Sequence, residues 1–172
     1  MSNNSFPFDS FKDAIAANDE YIKSFKYSDL TGTAQKGIAI VTCMDSRINP
    51  LSVVGMRSGD AKILRNAGAR VTDDVLRTLV LATYLLGVER ILIMPHTNCR
   101  MAQVDEAEIH REIDSKYGID TSELEFKTVG DQQQALIDDV QKVRSYPLLN
   151  TGVVVGGAIY DVATGKITPV DC

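Results

Sequence analysis

The chain has 172 residues, of which 44% are apolar and 24% charged, a balance typical of a soluble globular protein with a sizeable core. Its net charge is −5, and its lysines and arginines form no basic stripe, which argues against nucleic acid as a partner. The sequence has no apolar run near the roughly 20 residues that a membrane span needs. It also begins without the pattern of a secretion signal, so we expect a cytoplasmic protein without a membrane anchor.

The first half of the chain predicts one helix and two strands. Residues 8–26 repeat apolar side chains at helical spacing, and Asp9 or Ser10 is the expected cap. Gly37–Cys43 is short, rich in β-branched residues and apolar on both faces, as is typical of a buried parallel strand. Lys62–Asn66 is the second predicted strand.

The middle of the chain alternates helices and a strand. A helix is predicted to begin after Thr72, because two acidic residues follow in its first turn, and to stop at Gly87. Arg90–Pro95 reads as a buried strand. Residues 101–117 are predicted to be a polar helix, and residues 131–144 carry a helical apolar stripe.

The last segment predicts a hairpin, formed by strands at Gly152–Val162 and Lys166–Val170. The alternation of strands and helices before it favours an α/β fold with a central, mostly parallel β-sheet and helices on its faces. The closing hairpin adds one antiparallel edge strand. We therefore expect a single α/β domain over residues 1–172, in which residues 1–36 form an N-terminal helical arm.

Three side chains are of the type and placement expected of zinc ligands. Cys43 ends one predicted strand, and His96 and Cys99 follow another. The carboxyl ends of parallel strands lie at one edge of a sheet, where ligands gather. Two thiolates and an imidazole suit Zn²⁺, and a site with three protein ligands keeps a fourth position for chemistry. We predict one zinc ion per chain, bound by these three residues.

Two charged residues close to the first cysteine are the predicted catalytic residues. Asp45 is near enough to Cys43 to act at the fourth position, and Arg47 offers a guanidinium that would hold Asp45 ionised. The simpler interpretation is a local surface ion pair of little energetic value. The other candidate groups are expected outside the site: His110 as a surface histidine and Cys172 as a terminal thiol.

The motifs that carry these residues resemble those of the β-class carbonic anhydrases, in particular the compact prokaryotic-style branch. The resemblance runs from about residue 10 to the end of the chain and rests on three segments, Cys43-x-Asp45-x-Arg47, Arg65-Asn66-Ala67-Gly68 and His96-x-x-Cys99. It implies an α/β fold that assembles as a dimer or a multiple of dimers. It also implies zinc held by Cys43, His96 and Cys99, with Asp45 and Arg47 as a functional pair.

The function that the resemblance implies is reversible hydration of CO₂ to bicarbonate by a hydroxide generated at zinc. One alternative is a zinc hydrolase of carbonyl sulfide or carbon disulfide, because that branch includes such enzymes. Another is a zinc-bearing regulatory protein whose catalytic site is closed. Many family members have glycine after the second cysteine, where this chain has Arg100. That cation could narrow the pocket, pair with a carboxylate or attract an anion.

A homodimer is also expected from the N-terminal arm. Its helix carries more large apolar side chains than a small monomer would readily cover, and packing on a partner subunit would bury them. These side chains are Phe6, Phe8, Phe11 and Phe25.

Overall fold

The computed structural model describes residues 5–172, and these residues fall into two units. One unit comprises the described residues up to Thr31, and the other comprises Gly32–Cys172. Within this described part of the chain, no helix is both long enough and apolar enough to cross a lipid bilayer.

The first unit contains helix α1, Phe8–Tyr21, which continues into a 3₁₀ turn at Ile22–Ser24. The helix predicted over residues 8–26 is therefore too long, because the backbone tightens after Tyr21 and is extended at Phe25. The expected cap at Asp9 or Ser10 is wrong as well. The helix already starts at Phe8, and no side chain in the described residues caps it.

The second unit is built on a mixed sheet. Its strands are β1 (Ile38–Cys43), β2 (Ala61–Asn66), β3 (Arg90–Met94), β4 (Val154–Tyr160) and β5 (Ile167–Val170). Their order across the sheet is β2-β1-β3-β4-β5, and only the β4–β5 pair is antiparallel among the described strands. The predicted mostly parallel sheet with an antiparallel edge is thus confirmed, although β4 is shorter than the predicted strand.

Local sequence signals set the helices of this unit, which are α2 (Pro50–Val53), α3 (Asp73–Leu85), α4 (Glu106–Tyr117) and α5 (Gln132–Arg144). The Thr72 side chain accepts the Val75 amide and caps α3, as predicted. The Asp131 carboxylate caps α5 by accepting the amides of Gln133 and Gln134.

The predicted helix over residues 101–117 is interrupted. Arg100–Ala102 is a separate 3₁₀ turn, and α4 begins only after Asp105. The Asp105 carboxylate accepts the Glu108 amide, so it acts as a cap and starts a new helix at that point. Gly118, in the left-handed conformation, ends α4.

Both faces of the sheet are covered near the strands β1 and β3. On one face, apolar residues of β1 and β3 pack with residues of α3 and α5 in a single cluster that includes Val41, Ile93, Leu79 and Val140. On the other face, Ile40 and Met94 are fully buried. Each such side chain contributes roughly 1.5–3 kcal/mol through burial. The carboxyl ends of β1 and β3 are consequently joined to a well-packed core.

Candidate metal centre

The ends of β1 and β3 bring the three predicted ligands together. The strands pair in parallel, with Thr42 opposite Met94, so the carboxyl ends of both strands lie at the same edge of the sheet. Cys43 is the last residue of β1. Beyond β3, the amide of Tyr160 donates to the Pro95 carbonyl at 2.9 Å, and the Thr97 amide donates to the Tyr160 carbonyl at the same distance. The chain around His96 therefore stays anchored to β4.

The geometry of the cluster fits a tetrahedral metal ion. The potential ligand atoms of Cys43, His96 and Cys99 all lie within 4.8 Å of one another, and all three residues are buried. The two sulfurs are 4.0 Å apart. A tetrahedral zinc with bonds of about 2.3 Å to sulfur places two sulfurs about 3.8 Å apart. The observed spacing therefore matches the span of zinc closely.

The imidazole of His96 is oriented as a ligand. Its Nδ1 lies 2.9 Å from the Thr97 carbonyl. A carbonyl only accepts hydrogen bonds, so Nδ1 carries the proton and Nε2 presents its lone pair. In the described residues this Nε2 is buried without a hydrogen-bond partner. Leaving a buried polar atom unpaired is costly, and a metal ion at this position would satisfy it.

The surroundings of the two thiols shift their pKa values in a way that favours binding of a cation. The hydrogen bond between them, together with contacts to His96 and to the backbone of Gly68 and Asp45, lowers the pKa of Cys43 against the effect of burial. The same hydrogen bond and burial raise the pKa of Cys99. Burial lowers the pKa of His96, but Cys43, the Thr97 backbone and Asp45 together outweigh that effect, so the pKa is raised. The two thiols thus share one proton, which a metal ion would displace.

Asp45 lies beside the cluster and is fully engaged by Arg47. Its Oδ1 accepts from the backbone amide and Nε of Arg47, both at 2.9 Å, and its Oδ2 accepts from Nη2 at 2.7 Å. The same Oδ2 is 3.7 Å from Nε2 of His96. The hydrogen bonds from Arg47 hold the pKa of Asp45 well below its usual range. An oriented, ionised carboxylate therefore faces the cluster.

The segment Arg65-Asn66-Ala67-Gly68 supports the site through side chains as well as backbone. Arg65 donates from Nε to the Cys43 carbonyl at 2.9 Å and from Nη2 to the Asp45 carbonyl at 2.6 Å. Gly68 has φ +79°, and a Cβ there would lie 3.2 Å from Cβ of Met101. Both its conformation and its surroundings therefore favour glycine.

Arg100, Cys172 and His110 lie outside the cluster. Arg100 is exposed and pairs with Glu112 of α4 at 3.0 Å, so of the three possibilities it makes the pairing with a carboxylate. The Cys172 thiol is half-buried and donates to the Val170 carbonyl. His110 is partly exposed, and its Nδ1 lies 2.8 Å from the Thr121 hydroxyl oxygen.

Sequence reasoning missed two residues that contact the ligand loops. Gln132 donates from Nε2 to the His96 carbonyl at 2.6 Å. The Asn98 carbonyl accepts from Arg47 Nη2 at 3.0 Å. The capping pattern at Asp131 could have placed Gln132 in the first turn of α5, but no local pattern predicts a contact with a loop that lies far away in sequence.

Comparison with known proteins gives a consistent result. The family model described as carbonic anhydrase matches residues 38–167. Beta-carbonic anhydrase 1 of Mycobacterium tuberculosis is 35% identical over 161 residues, covering 92% of this chain and 96% of that protein. A carbon disulfide hydrolase of Acidithiobacillus thiooxidans is 30% identical over 150 residues, covering 76% and 75%. The crystal structure of carbonic anhydrase from Streptococcus mutans superimposes with a TM-score of 0.88 at 34% identity, covering 97% of this chain and 99% of that one.

Proposed function

Because this chain belongs to the β-carbonic anhydrase family, we propose that it is a zinc-dependent enzyme that reversibly hydrates CO₂ to bicarbonate. The observation that carries the proposal is the buried cluster of Cys43, His96 and Cys99 with the Asp45 carboxylate directly beside it. The likeness to a beta-carbonic anhydrase over nearly the whole chain supports the same activity.

In this proposal each residue of the site has a distinct role. Cys43, His96 and Cys99 would hold the zinc ion. Zinc with an open coordination position would supply a nucleophile near neutral pH by lowering the pKa of water. Asp45, kept ionised by Arg47, can accept a hydrogen bond and so orient the attacking group toward CO₂. CO₂ is uncharged, so its binding depends more on orientation and on exclusion of water than on charged side chains.

Hydrolysis of carbonyl sulfide or carbon disulfide is the second candidate, because relatives at 30% identity are carbon disulfide hydrolases. The paired experiment measures CO₂ hydration, and sulfide release from both sulfur compounds, on protein of known zinc content. Rapid CO₂ hydration with no sulfide release is the expected result. Sulfide release without CO₂ hydration would replace the leading proposal by the second.

The third candidate, a closed regulatory protein, would bind zinc and turn over none of these gases. Arg47 occupies both carboxylate oxygens of Asp45, which supports an open fourth position. The same assay across a range of pH values tests this point. Stoichiometric zinc with no turnover at any pH would favour the closed protein.

We also propose that the protein assembles as a homodimer or a multiple of dimers, with residues 1–36 as an arm that packs on the partner subunit. The support is the first unit itself, because α1 has no buried residue. Its exposed aromatic side chains include Phe6, Phe8, Phe11 and Phe25. Light scattering at micromolar concentration should give an even multiple of the chain mass, and a monomer mass would contradict the assembly.

A further inference from the structure

Helix α5 contacts two loops of the metal centre from behind. At its start, the Gln132 side chain donates to the backbone carbonyl of His96. Two turns later, Asp139 is almost completely buried and accepts from Arg70 Nε at 2.8 Å and from the Val71 amide at 3.2 Å. One face of α5 thus reaches both the loop after β3 and the loop after β2.

Arg70 ends a loop whose conformation is unusual. Gly68 has φ +79° and Ala69 has φ +60°, and a left-handed conformation is unfavourable for alanine. Such a loop persists only when its surroundings hold it. The Asn66 side chain bonds both the amide and the carbonyl of Arg70, and Asp139 holds the Arg70 guanidinium. Hydrogen bonds from Asn66 and Asp139 therefore hold the loop in this conformation.

This loop bears directly on the cluster. Ala69 of this loop packs with Cys43 and Cys99 in one buried cluster. A small cavity is lined by residues of the cluster, of the loop after β2 and of α5. They include Cys99, Gly68, Arg70, Gln132 and Asp139. Residues of α5 and Cys99 of the cluster thus border the same space.

We propose that Gln132 and Asp139 are positioning residues of the metal centre. Gln132 fixes the backbone of His96, and Asp139, through Arg70, fixes the loop that contacts Cys43. The inference rests on the metal site of the proposed function. Partners of this kind orient metal ligands, and their loss typically weakens metal binding by roughly 10–100-fold.

Helix α5 supplies a matched control for each residue. Gln132→Met removes the donor to His96, and Gln133→Met makes the same change at an exposed neighbour. Asp139→Asn removes the buried charge, and Asp138→Asn does so on the exposed face. Zinc dissociation constants, measured by chelator competition on folded metal-free protein, should rise roughly 10–100-fold for the first member of each pair. They should stay at the wild-type value for the second.

A second readout separates positioning from general stability. Cobalt(II) bound in place of zinc has an absorption spectrum that reports ligand geometry, and it should change in Gln132→Met and Asp139→Asn but not in the controls. Unchanged spectra and unchanged zinc affinity in both variants would overturn the proposal. So would a loss of affinity that tracks urea stability while the cobalt spectrum stays wild-type.

A milder variant covers the case in which Asp139→Asn does not fold. Arg70→Lys keeps the positive charge but loses the planar fork that contacts Asp139. It should weaken zinc binding relative to Arg77→Lys on the exposed face of α3, and equal affinity would contradict the role of Asp139. Wild-type protein that binds no zinc would instead refute the proposed function. Zinc binding without turnover would refute only the activity and leave the positioning test intact.

Discussion

The guanidinium of Arg47 donates from Nη2 to the backbone carbonyl of Asn98 at 3.0 Å. Asn98 adopts a left-handed conformation with φ +55° and lies between His96 and Cys99. Arg47 therefore joins the loop after β1 to the loop after β3, and the three proposed ligands lie at the end of β1 and in the loop after β3. It does so while holding both carboxylate oxygens of Asp45.

We predict that Asp45 and Arg47 act as a unit. Asp45→Asn and Arg47→Ala should each lower kcat/KM by roughly 100-fold or more, because either change removes an oriented, ionised carboxylate. Zinc content, measured by elemental analysis, should stay stoichiometric. The double variant should lose little more than the worse single variant, as coupled residues do.

The exposed ion pair of Asp74 and Arg77 on α3 provides the control for this comparison of single and double variants. Asp74→Asn and Arg77→Ala remove an exposed ion pair with the same 2.7 Å separation, and they should leave kcat/KM unchanged. Losses at Asp45 and Arg47 that simply add would show that the two residues act independently.

Zinc binding should depend on Cys43 and not on Cys172. Cys43→Ala removes one of two thiolates from a three-residue site, so zinc and activity should be lost together. Cys172→Ala should keep both, because its sulfur bonds to the Val170 carbonyl rather than to the cluster. Elemental analysis of both purified variants tests this, and stoichiometric zinc in Cys43→Ala would refute the proposed ligand set.

The sequence predicts best those parts of the fold that depend on local patterns of residues. Uninterrupted apolar runs predict β1 and β3, and the rule that parallel strands end at one edge places Cys43 and His96 together. The end of α1 was not predictable in this way. The apolar spacing continues through Ile22 and Phe25, although the regular helix ends at Tyr21.

The supporting contacts of the site escape prediction for a different reason. Asp139 pairs with Arg70, and Gln132 with the His96 carbonyl, across long sequence separations. An aspartate within a helical apolar stripe looks like an ordinary polar position until the packing of α5 buries it. The break before Glu106 could have been predicted in part. Asp105 is a typical cap residue, but the helical pattern on both sides of it hides the new helix start.

Gly68→Ala should destabilise the protein and weaken zinc binding. A left-handed alanine costs about 1–2 kcal/mol, and the added methyl would press against Met101 at 3.2 Å. The free energy of unfolding in urea should fall by at least that amount. Gly32→Ala is the control, because a Cβ at Gly32 meets no atom within 4 Å. Equal stability of the two variants would contradict the strain at Gly68.

Arg100→Ala should have little effect, although the residue directly follows a proposed ligand. Its guanidinium is exposed and pairs with Glu112, and an exposed ion pair contributes at most about 1 kcal/mol. Glu112→Ala should give the same small change in unfolding free energy, and both variants should keep the wild-type kcat/KM for CO₂. A large change in kcat/KM for Arg100→Ala alone would show that the side chain acts on the substrate.

Zinc affinity should rise with pH. The pKa of Cys99 is raised by its hydrogen bond to Cys43 and by burial, so this thiol keeps its proton at neutral pH. The pKa of Cys43 is lowered, so that sulfur is already a thiolate. Zinc needs both thiolates, and binding must therefore expel the Cys99 proton. The zinc dissociation constant should fall roughly tenfold per pH unit for each proton released.

His96 makes this dependence steeper on the acidic side. Its pKa is raised, because Cys43, the Thr97 backbone and Asp45 together outweigh the effect of burial, so at acidic pH more of the imidazole carries a proton that zinc must also displace. Zinc added to metal-free protein in weak buffer should release about one proton per ion at pH 8 and more at pH 6. Chelator competition across this range gives the matching slope. A dissociation constant that is constant from pH 6 to pH 8 would mean that the thiols do not share a proton.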